Sequence, residues 1–152
     1  MDKKKRIVLA ADHKGYKTKE AVKAWLEKEG IGFLDMGCAS EESCDYPDYA
    51  LPAAEKVGKG EADLGLLFCH TGQGMVISAN KVKGVRAVLV FKPEIAHLAK
   101  EHNAANVLAF PAGYISACDI KTAIKEWMGT EIKGERHMRR VEKIAAYERR
   151  KQ

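Results

Sequence analysis

Residues 64–74 read LGLLFCHTGQG, and this stretch decides the fold. An apolar run ends at Cys69, a short turn with two glycines follows, and residues 75–82 have a helical pattern. A parallel strand that enters a helix through glycines is where α/β proteins bind anionic ligands. The N–H groups and the dipole at the start of the helix should favour the thiolate of Cys69. The stretch therefore predicts an acid, base or nucleophile beside an anion site.

The rest of the chain alternates strand and helix patterns around this stretch. The predicted strands are residues 6–11, 32–36, 64–69, 86–91 and 106–110, and the predicted helices are residues 17–29, 49–59, 75–82, 93–101, 116–128 and 136–150. A polar loop covers residues 37–48. We expect one domain, residues 1–152, with a Rossmann-like, three-layer α/β/α fold around a five-stranded parallel sheet.

Ligands of such sheets bind beyond the carboxyl ends of the strands. The polar residues in the loops after the predicted strands are Asp12, His13, Asp45, Tyr46, residues 69–74, Lys92 and residues 111–114. We expect these loops to lie together at one edge of the sheet. His102 and Asn103 precede the fifth strand, so they need not share that edge within one subunit.

Composition excludes several classes of protein. No run of the 152 residues approaches the length of a membrane span, and the apolar stretch after the basic start is too short for a signal peptide. The four cysteines form no CxxC pair and no cluster with zinc spacing, which is typical of free thiols in a reducing compartment. We therefore expect a cytoplasmic location and no metal.

Charge is concentrated at the two ends of the chain. The net charge is +5, with +3 in residues 2–6 and +5 in residues 133–152, which leaves about −3 for the body. Such ends can bind nucleic acid or an acidic surface, or can simply be solvated. No aromatic-interleaved basic surface or recognition motif supports a nucleic-acid binder, so we expect no nucleic-acid or membrane partner.

The last predicted helix is strongly charged apart from a narrow apolar stripe. The stripe consists of Met138, Val141, Ile144 and Ala145. Such a helix gains little by folding onto its own domain, so we expect it to reach a partner subunit in a homodimer. The alternative is a loose terminal segment.

Familiar nucleotide and nucleophile motifs do not match. The chain has no Walker loop and no GxSxG elbow, and Ile77 stands where a dinucleotide fingerprint needs its third glycine. A cysteine phosphatase loop would need an arginine where Met75 stands. What remains is a polar set of one thiol, histidines, an aspartate, a tyrosine and distant arginines. That set suits proton transfer on a small anionic substrate without a cofactor.

The chain resembles ribose-5-phosphate isomerase B and the related galactose-6-phosphate and allose-6-phosphate isomerases. Six blocks in the same order carry the resemblance: residues 11–15 (ADHKG), 45–47 (DYP), 69–74 (CHTGQG) with 79–81 (ANK), 84–87 (GVRA), 102–108 (HNAANVL), and 134–137 (GERH) with 139–141 (RRV). They span nearly the whole chain.

The resemblance implies a metal-free aldose–ketose isomerase of the pentose phosphate pathway that works through a cis-enediolate. It assigns the base to Cys69, with Thr71 hydrogen-bonded near the thiol and the backbone N–H groups around Gly72 and Gly74 on the enediolate oxygen. His102 opens the sugar ring, with Asn103 beside it. From the residues alone, Cys69 can also be a buried inert cysteine, and His102 a helix-end histidine stabilised by the dipole.

The resemblance also implies the substrate contacts. Asp12 binds sugar hydroxyls, Tyr46 lines the site, and the phosphate set is His13, Arg136 and Arg140. Arg136 and Arg140 are four residues apart, so they share one face of a helix. We expect the nearby Arg139 and His137 to be solvent or interface charges. In this family the site forms between two subunits, which implies a homodimer or a dimer of dimers.

Three departures from the family pattern concern the substrate. His70 stands where glycine usually follows the cysteine, and Gln73 replaces a small apolar residue and can contact a sugar hydroxyl. The family usually has Gly-x-Arg after strand five, whereas residues 111–114 contain no arginine, a loss for which Lys92 can compensate. Ribose 5-phosphate is the expected substrate. Galactose 6-phosphate, allose 6-phosphate, a tetrose phosphate and a non-catalytic sugar-phosphate binding protein remain the alternatives.

Overall fold

The structure is a computed structural model that describes residues 4–150. The strands are β1 (Ile7–Ala11), β2 (Phe33–Asp35), β3 (Leu64–Cys69), β4 (Ala87–Leu89) and β5 (Val107–Pro111). The helices are α1 (Tyr16–Lys28), α2 (Pro47–Gly58), α3 (Gln73–Ala79), α4 (Pro93–Asn103), α5 (Ala117–Met128) and α6 (Glu135–Arg150). The basic N-terminal run starts outside the described residues. Within residues 4–150, no helix combines the length and the apolar character needed to cross a membrane.

All five strands are parallel, in the order β2-β1-β3-β5-β4. The chain first moves outward from β1 to β2 and then returns to the other side of β1 to form β3. The strand order therefore reverses between β1 and β3, which is where doubly wound sheets open a ligand crevice. The prediction of a five-stranded parallel sheet in a Rossmann-like fold is confirmed.

The central strand β3 is buried along its whole length and divides two cores. Because side chains alternate across a strand, Leu66 and Phe68 pack on one face with α1 and α5, whereas Leu67 and Cys69 pack on the other face with α2 and α3. Trp127 of α5 is 1% exposed, and its indole N–H donates to the Ala105 carbonyl at 2.6 Å. These two cores make the predicted three layers.

The helix boundaries differ from the sequence prediction where proline and glycine fix the backbone. Pro47 occupies the first turn of α2 because its ring presets a helical φ and its missing N–H is not needed there. Gly72 has a left-handed φ of 75°, which turns the chain so that α3 begins at Gln73. The predicted cap of α5 is confirmed, since the Ser116 hydroxyl accepts the Asp119 N–H at 3.0 Å.

Helix α6 contacts its own domain near both of its ends. The Lys133 N–H just before it donates to the Glu101 carbonyl at 3.2 Å, and Glu148 accepts the Gly84 N–H at 3.2 Å. His137 is its buried residue, whereas Met138 and Ile144 of the apolar stripe are 56% and 53% exposed. Contact between this stripe and a partner subunit therefore stays a prediction.

Candidate active site

The loop after β1 forms one wall of the crevice between β1 and β3. Asp12 is buried, and its backbone N–H donates to the Phe68 carbonyl at 3.1 Å. Its carboxylate oxygen Oδ1 accepts the N–H groups of Lys14 and Gly15 at 2.9 and 3.0 Å. The turn thus engages one carboxylate oxygen of Asp12 and fixes the side chain beside the end of β3.

Cys69 ends β3 as a buried thiol. Its Sγ accepts the Gly72 N–H at 3.1 Å. Burial raises the pKa of the Cys69 thiol, and the charge of Asp12 adds to that rise, although the backbone N–H groups of Met75, Gly72 and Thr71 act in the opposite direction. The expectation that the helix start would favour the thiolate is wrong for the free chain, because desolvation of the charged form exceeds the effect of the N–H groups.

The turn from β3 to α3 presents its polar groups around the thiol. The Thr71 hydroxyl accepts the Gln73 N–H at 3.4 Å, and the backbone N–H of Thr71 acts to lower the pKa of the Cys69 thiol. Gln73 is exposed at the start of α3. Tyr46 packs on the same turn, since a Cβ built on Gly74 would lie 2.7 Å from its ring. These residues of the predicted site lie together.

His13 is held by the loop after β2. Its Nδ1 accepts the Cys44 N–H at 3.2 Å, and the Cys44 Sγ lies 3.9 Å from the same atom. A neutral imidazole that accepts at Nδ1 carries its proton on Nε2, which is then available as a donor. Sequence reasoning gave no role to Cys44, because a backbone N–H that orients a histidine leaves no sequence motif.

The second group of predicted residues lies where α4 ends and α6 begins. The His102 ring stacks on the His137 ring, with centroids 4.4 Å apart and planes 17° apart. His102 Nε2 lies 3.7 Å from a Glu101 carboxylate oxygen. Asn103, Arg136 and Arg140 are exposed, and Asn103 borders a shallow cleft against α6.

His137 differs from its prediction as a solvent or interface charge. It is 8% exposed, so it belongs to the packing between α4 and α6. Burial lowers the pKa of His137, and the positive charges of His102, Arg136 and Arg140 lower it further. The His137 ring beside His102 is therefore neutral. The sequence of residues 134–140, GERHMRR, does not indicate which of its basic residues turns inward.

The two groups do not meet within one chain. In a parallel sheet the connecting helices run back, so α4 starts near the carboxyl end of β4 and delivers His102 to the amino end of β5. Cys69 stands at the opposite end of β3, whose six residues span about 17 Å. Proton transfer needs hydrogen-bond contact, so one small substrate cannot engage both residues of the same chain.

Comparison with known proteins assigns the fold to a family. The family model described as Ribose/Galactose Isomerase matches residues 7–144. This chain belongs to that family. The match covers both groups of residues, from β1 to the middle of α6.

Named members of the ribose/galactose isomerase family are similar along almost the full chain. Ribose-5-phosphate isomerase B of Escherichia coli is 41% identical over 147 residues, which cover 97% of this chain and 99% of that protein. The Clostridium thermocellum ribose-5-phosphate isomerase B structure matches with a TM-score of 0.93 at 37% identity, covering 97% of this chain and 99% of that chain. The Mycoplasma genitalium enzyme with bound ribulose-5-phosphate has a TM-score of 0.90 at 36% identity, covering 95% of this chain and 96% of that chain.

Among residues 4–150, no group of three or more His, Cys, Asp or Glu side chains is placed to hold a metal ion. Metal-free chemistry stays a prediction, which a chelator tests. Lys92, the predicted substitute for the family's arginine, is exposed at the start of α4 beyond β4, two strands away from β3.

Proposed function

We propose that this protein interconverts ribose 5-phosphate and ribulose 5-phosphate. The observation that carries the proposal is the buried Cys69 thiol at the crevice between β1 and β3, in a chain 41% identical to a ribose-5-phosphate isomerase B. The Mycoplasma genitalium relative, whose structure holds ribulose-5-phosphate, supports the same substrate. An aldose–ketose isomerase moves one proton between C1 and C2 and needs no redox cofactor.

Cys69 is the proposed base. Its thiolate takes the proton from C2 of the open-chain aldose while the C1 carbonyl becomes an enediolate oxygen. The thiol returns the proton to C1, and the proton of the O2 hydroxyl passes to O1 as O2 becomes the new carbonyl, so the reaction neither gains nor loses atoms. Asp12 and Tyr46 border the sugar, and as the second residue of α3, Gly74 has an N–H without an intrahelical acceptor that can hold the enediolate oxygen.

A second copy of the chain completes the proposed site. His102 of the partner subunit opens the sugar ring, with Asn103 beside it, and the partner subunit's Arg136 and Arg140 bind the phosphate together with His13. In a twofold dimer the same contact occurs twice, which gives two identical sites. The exposed Met138 and Ile144 on α6 supply apolar surface for such a contact. A homodimer, alone or paired as a dimer of dimers, is the proposed assembly.

The proposed setting is the cytoplasm and the pentose phosphate pathway. The four cysteines are free, which suits a reducing compartment. A phosphorylated sugar carries a charge that keeps it on the side of the membrane where it is made.

A different sugar phosphate is the second candidate, and the β5–α5 loop favours it. Gly113 stands near the position where the family usually has an arginine, and the neighbouring His70 adds a ring that the family usually lacks. A changed phosphate contact can shift the sugar along the crevice, which would favour galactose 6-phosphate, allose 6-phosphate or a tetrose phosphate.

Turnover with a panel of aldose and ketose phosphates, from tetrose to hexose and with EDTA present, tests the proposal. We expect isomerisation of ribose 5-phosphate that persists in EDTA. Preference for another sugar would select the second candidate. Absence of turnover with every sugar, combined with a raised melting temperature in their presence, would instead identify a sugar-phosphate binding protein.

A further inference from the structure

His70 joins two loops at the rim of the crevice. It directly follows Cys69, its side chain is exposed, and its carbonyl accepts the Gly113 N–H at 3.0 Å. One residue earlier, the Cys69 carbonyl accepts the Ala112 N–H at 2.8 Å. The β3–α3 loop and the β5–α5 loop therefore form one continuous rim next to the buried thiol.

The His70 ring occupies the space that a side chain at position 113 would need. A Cβ built on Gly113 would lie 2.5 Å from His70 Nδ1 and 3.1 Å from Nε2. Gly113 is not among the glycines with positive φ, so its backbone does not itself require glycine. The Tyr114 ring lies 5.4 Å away, tilted by 57°, and places the imidazole between Gly113 and an exposed aromatic ring. A side chain at position 113 would therefore have to displace the His70 ring.

His70 and His13 lie on either side of the end of β3. Ala11 pairs in register with Phe68, and each histidine stands two residues beyond its paired residue. Adjacent strands are about 4.8 Å apart, so the two loops begin at the same level. His13 is held by the loop after β2, and the His70 ring leans toward the loop after β5. A ligand over Cys69 has one imidazole on each side.

We propose that His70 is a substrate-binding residue that donates an imidazole N–H to the phosphate of the sugar. The inference rests on the proposed function, because it takes the ligand to be a phosphorylated sugar. Residues 111–114 carry no basic side chain, so the His70 imidazole N–H is the side-chain donor that this part of the rim offers to a phosphate. An arginine at position 113 would have to displace the His70 ring, so one of the two donors at a time can occupy this place.

The test measures the affinity of the full-length protein for inorganic phosphate, both by calorimetry and from competitive inhibition of turnover. We expect His70→Ala to weaken phosphate binding by about tenfold, the usual range for losing a hydrogen bond to a charged group. Lys28→Gln is the control, an exposed cation in the last turn of α1 and outside the proposed site, and should change binding less than about twofold. Melting temperatures of all variants confirm that they fold.

A double-mutant cycle tests the exclusion of the two donors. Gly113→Arg alone should weaken phosphate binding, because the His70 ring blocks the new side chain, whereas His70→Gly with Gly113→Arg should restore it. Equal effects of Gly113→Arg in both backgrounds would overturn the proposal.

Two other outcomes would also overturn the proposal: unchanged phosphate binding by His70→Ala, and no phosphate binding by the wild-type protein. The phosphate titration remains decisive even if no sugar phosphate is turned over. Failure of the isomerase function and failure of the His70 role are therefore distinguishable.

Discussion

Cys69 at the carboxyl end of the sheet and His137 at the amino end are both buried titratable groups, and burial shifts their two pKa values in opposite directions. At the carboxyl end, burial raises the pKa of the Cys69 thiol. At the amino end, burial lowers the pKa of the His137 imidazole. The cause is the same, because leaving water disfavours a charge, but the charged form of cysteine is an anion and that of histidine is a cation. Both groups are therefore held neutral near neutral pH.

The two ends also carry complementary parts of one proposed reaction. The carboxyl end has a base and hydroxyl contacts, whereas the amino end has a ring-opening histidine and two arginines. Neither end holds a complete set, and the length of the sheet separates them. A second subunit placed with its amino end over the first subunit's carboxyl end would join them, and five measurements test or refine this comparison.

Loss of the proposed base should have the largest effect. Cys69→Ala should lower kcat by about 10²- to 10⁴-fold, the range for removing a general base, while the fold survives. Cys118→Ala is the matched control, since Cys118 is an exposed free cysteine on α5 and should keep full activity. Turnover of ribose 5-phosphate by purified variants provides the measurement. Retention of most of the activity by Cys69→Ala would remove the proposed base.

Mixing the two defective ends should restore activity. Cys69→Ala and His102→Ala subunits, each inactive alone, should recover about a quarter of wild-type activity when co-expressed, because half of the dimers are mixed and one of their two sites is intact. Co-expression of Cys69→Ala with a subunit carrying both changes is the control and should stay inactive. No recovery in the mixed dimers, despite normal assembly, would show that the two ends do not cooperate across subunits.

Removal of an arginine that is proposed to bind the phosphate, at the amino end of the sheet, should weaken substrate binding. Arg140→Gln should raise KM about 10- to 150-fold, which corresponds to the roughly 1.5–3 kcal/mol of a hydrogen bond to a charged group. Arg139→Gln is the matched control, because its exposed side chain points about 100° around α6 from Arg140. Steady-state kinetics of both variants measure this. A similar rise in KM for both would indicate general electrostatics instead of a specific grip.

The raised pKa of Cys69 predicts that kcat/KM increases with pH into the alkaline range. The base works as a thiolate, so kcat/KM should rise with pH through a pKa above the ordinary cysteine value of about 8.5. The dependence of kcat/KM on pH is measured for the wild-type enzyme at constant ionic strength. Cys118→Ala is the control and should show the same dependence. A pKa below the ordinary cysteine value in this pH dependence would mean that the assembled site favours the thiolate.

The lowered pKa of His137 predicts a smaller, acid-side effect on stability. His137 is neutral when folded, so its contribution is present above its ordinary pKa of about 6.5 and is lost as pH falls toward the lower folded value. Urea unfolding at about pH 7.5 and pH 5 should show a drop in midpoint that His137→Phe reduces. His97→Phe is a control for a partly exposed histidine on α4. An equal drop in all three proteins would assign the effect to other groups.

Local signals were enough for the elements that have strong periodicity and caps. The strand predicted at residues 64–69 has the same bounds as β3, and Ser116 and Gly129 cap the two ends of α5 as expected. The start of α2 was missed because the polar loop hid the effect of Pro47, and β4 is shorter than predicted because it is an edge strand paired only with β5. Edge pairing depends on the neighbouring strand and leaves little trace in the local pattern.

The sequence by itself determined the alternating parallel fold, the family, and the set of side chains proposed for the site, because hydrophobic periodicity, turn glycines and motif order are local properties of the chain. The tertiary structure decided where those side chains meet. It buried Cys69 deeply enough to raise its pKa, turned His137 inward against His102, and set the His70 ring over Gly113. It also placed the two halves of the proposed site at opposite ends of the sheet, since desolvation and distance depend on the packing of segments far apart in sequence.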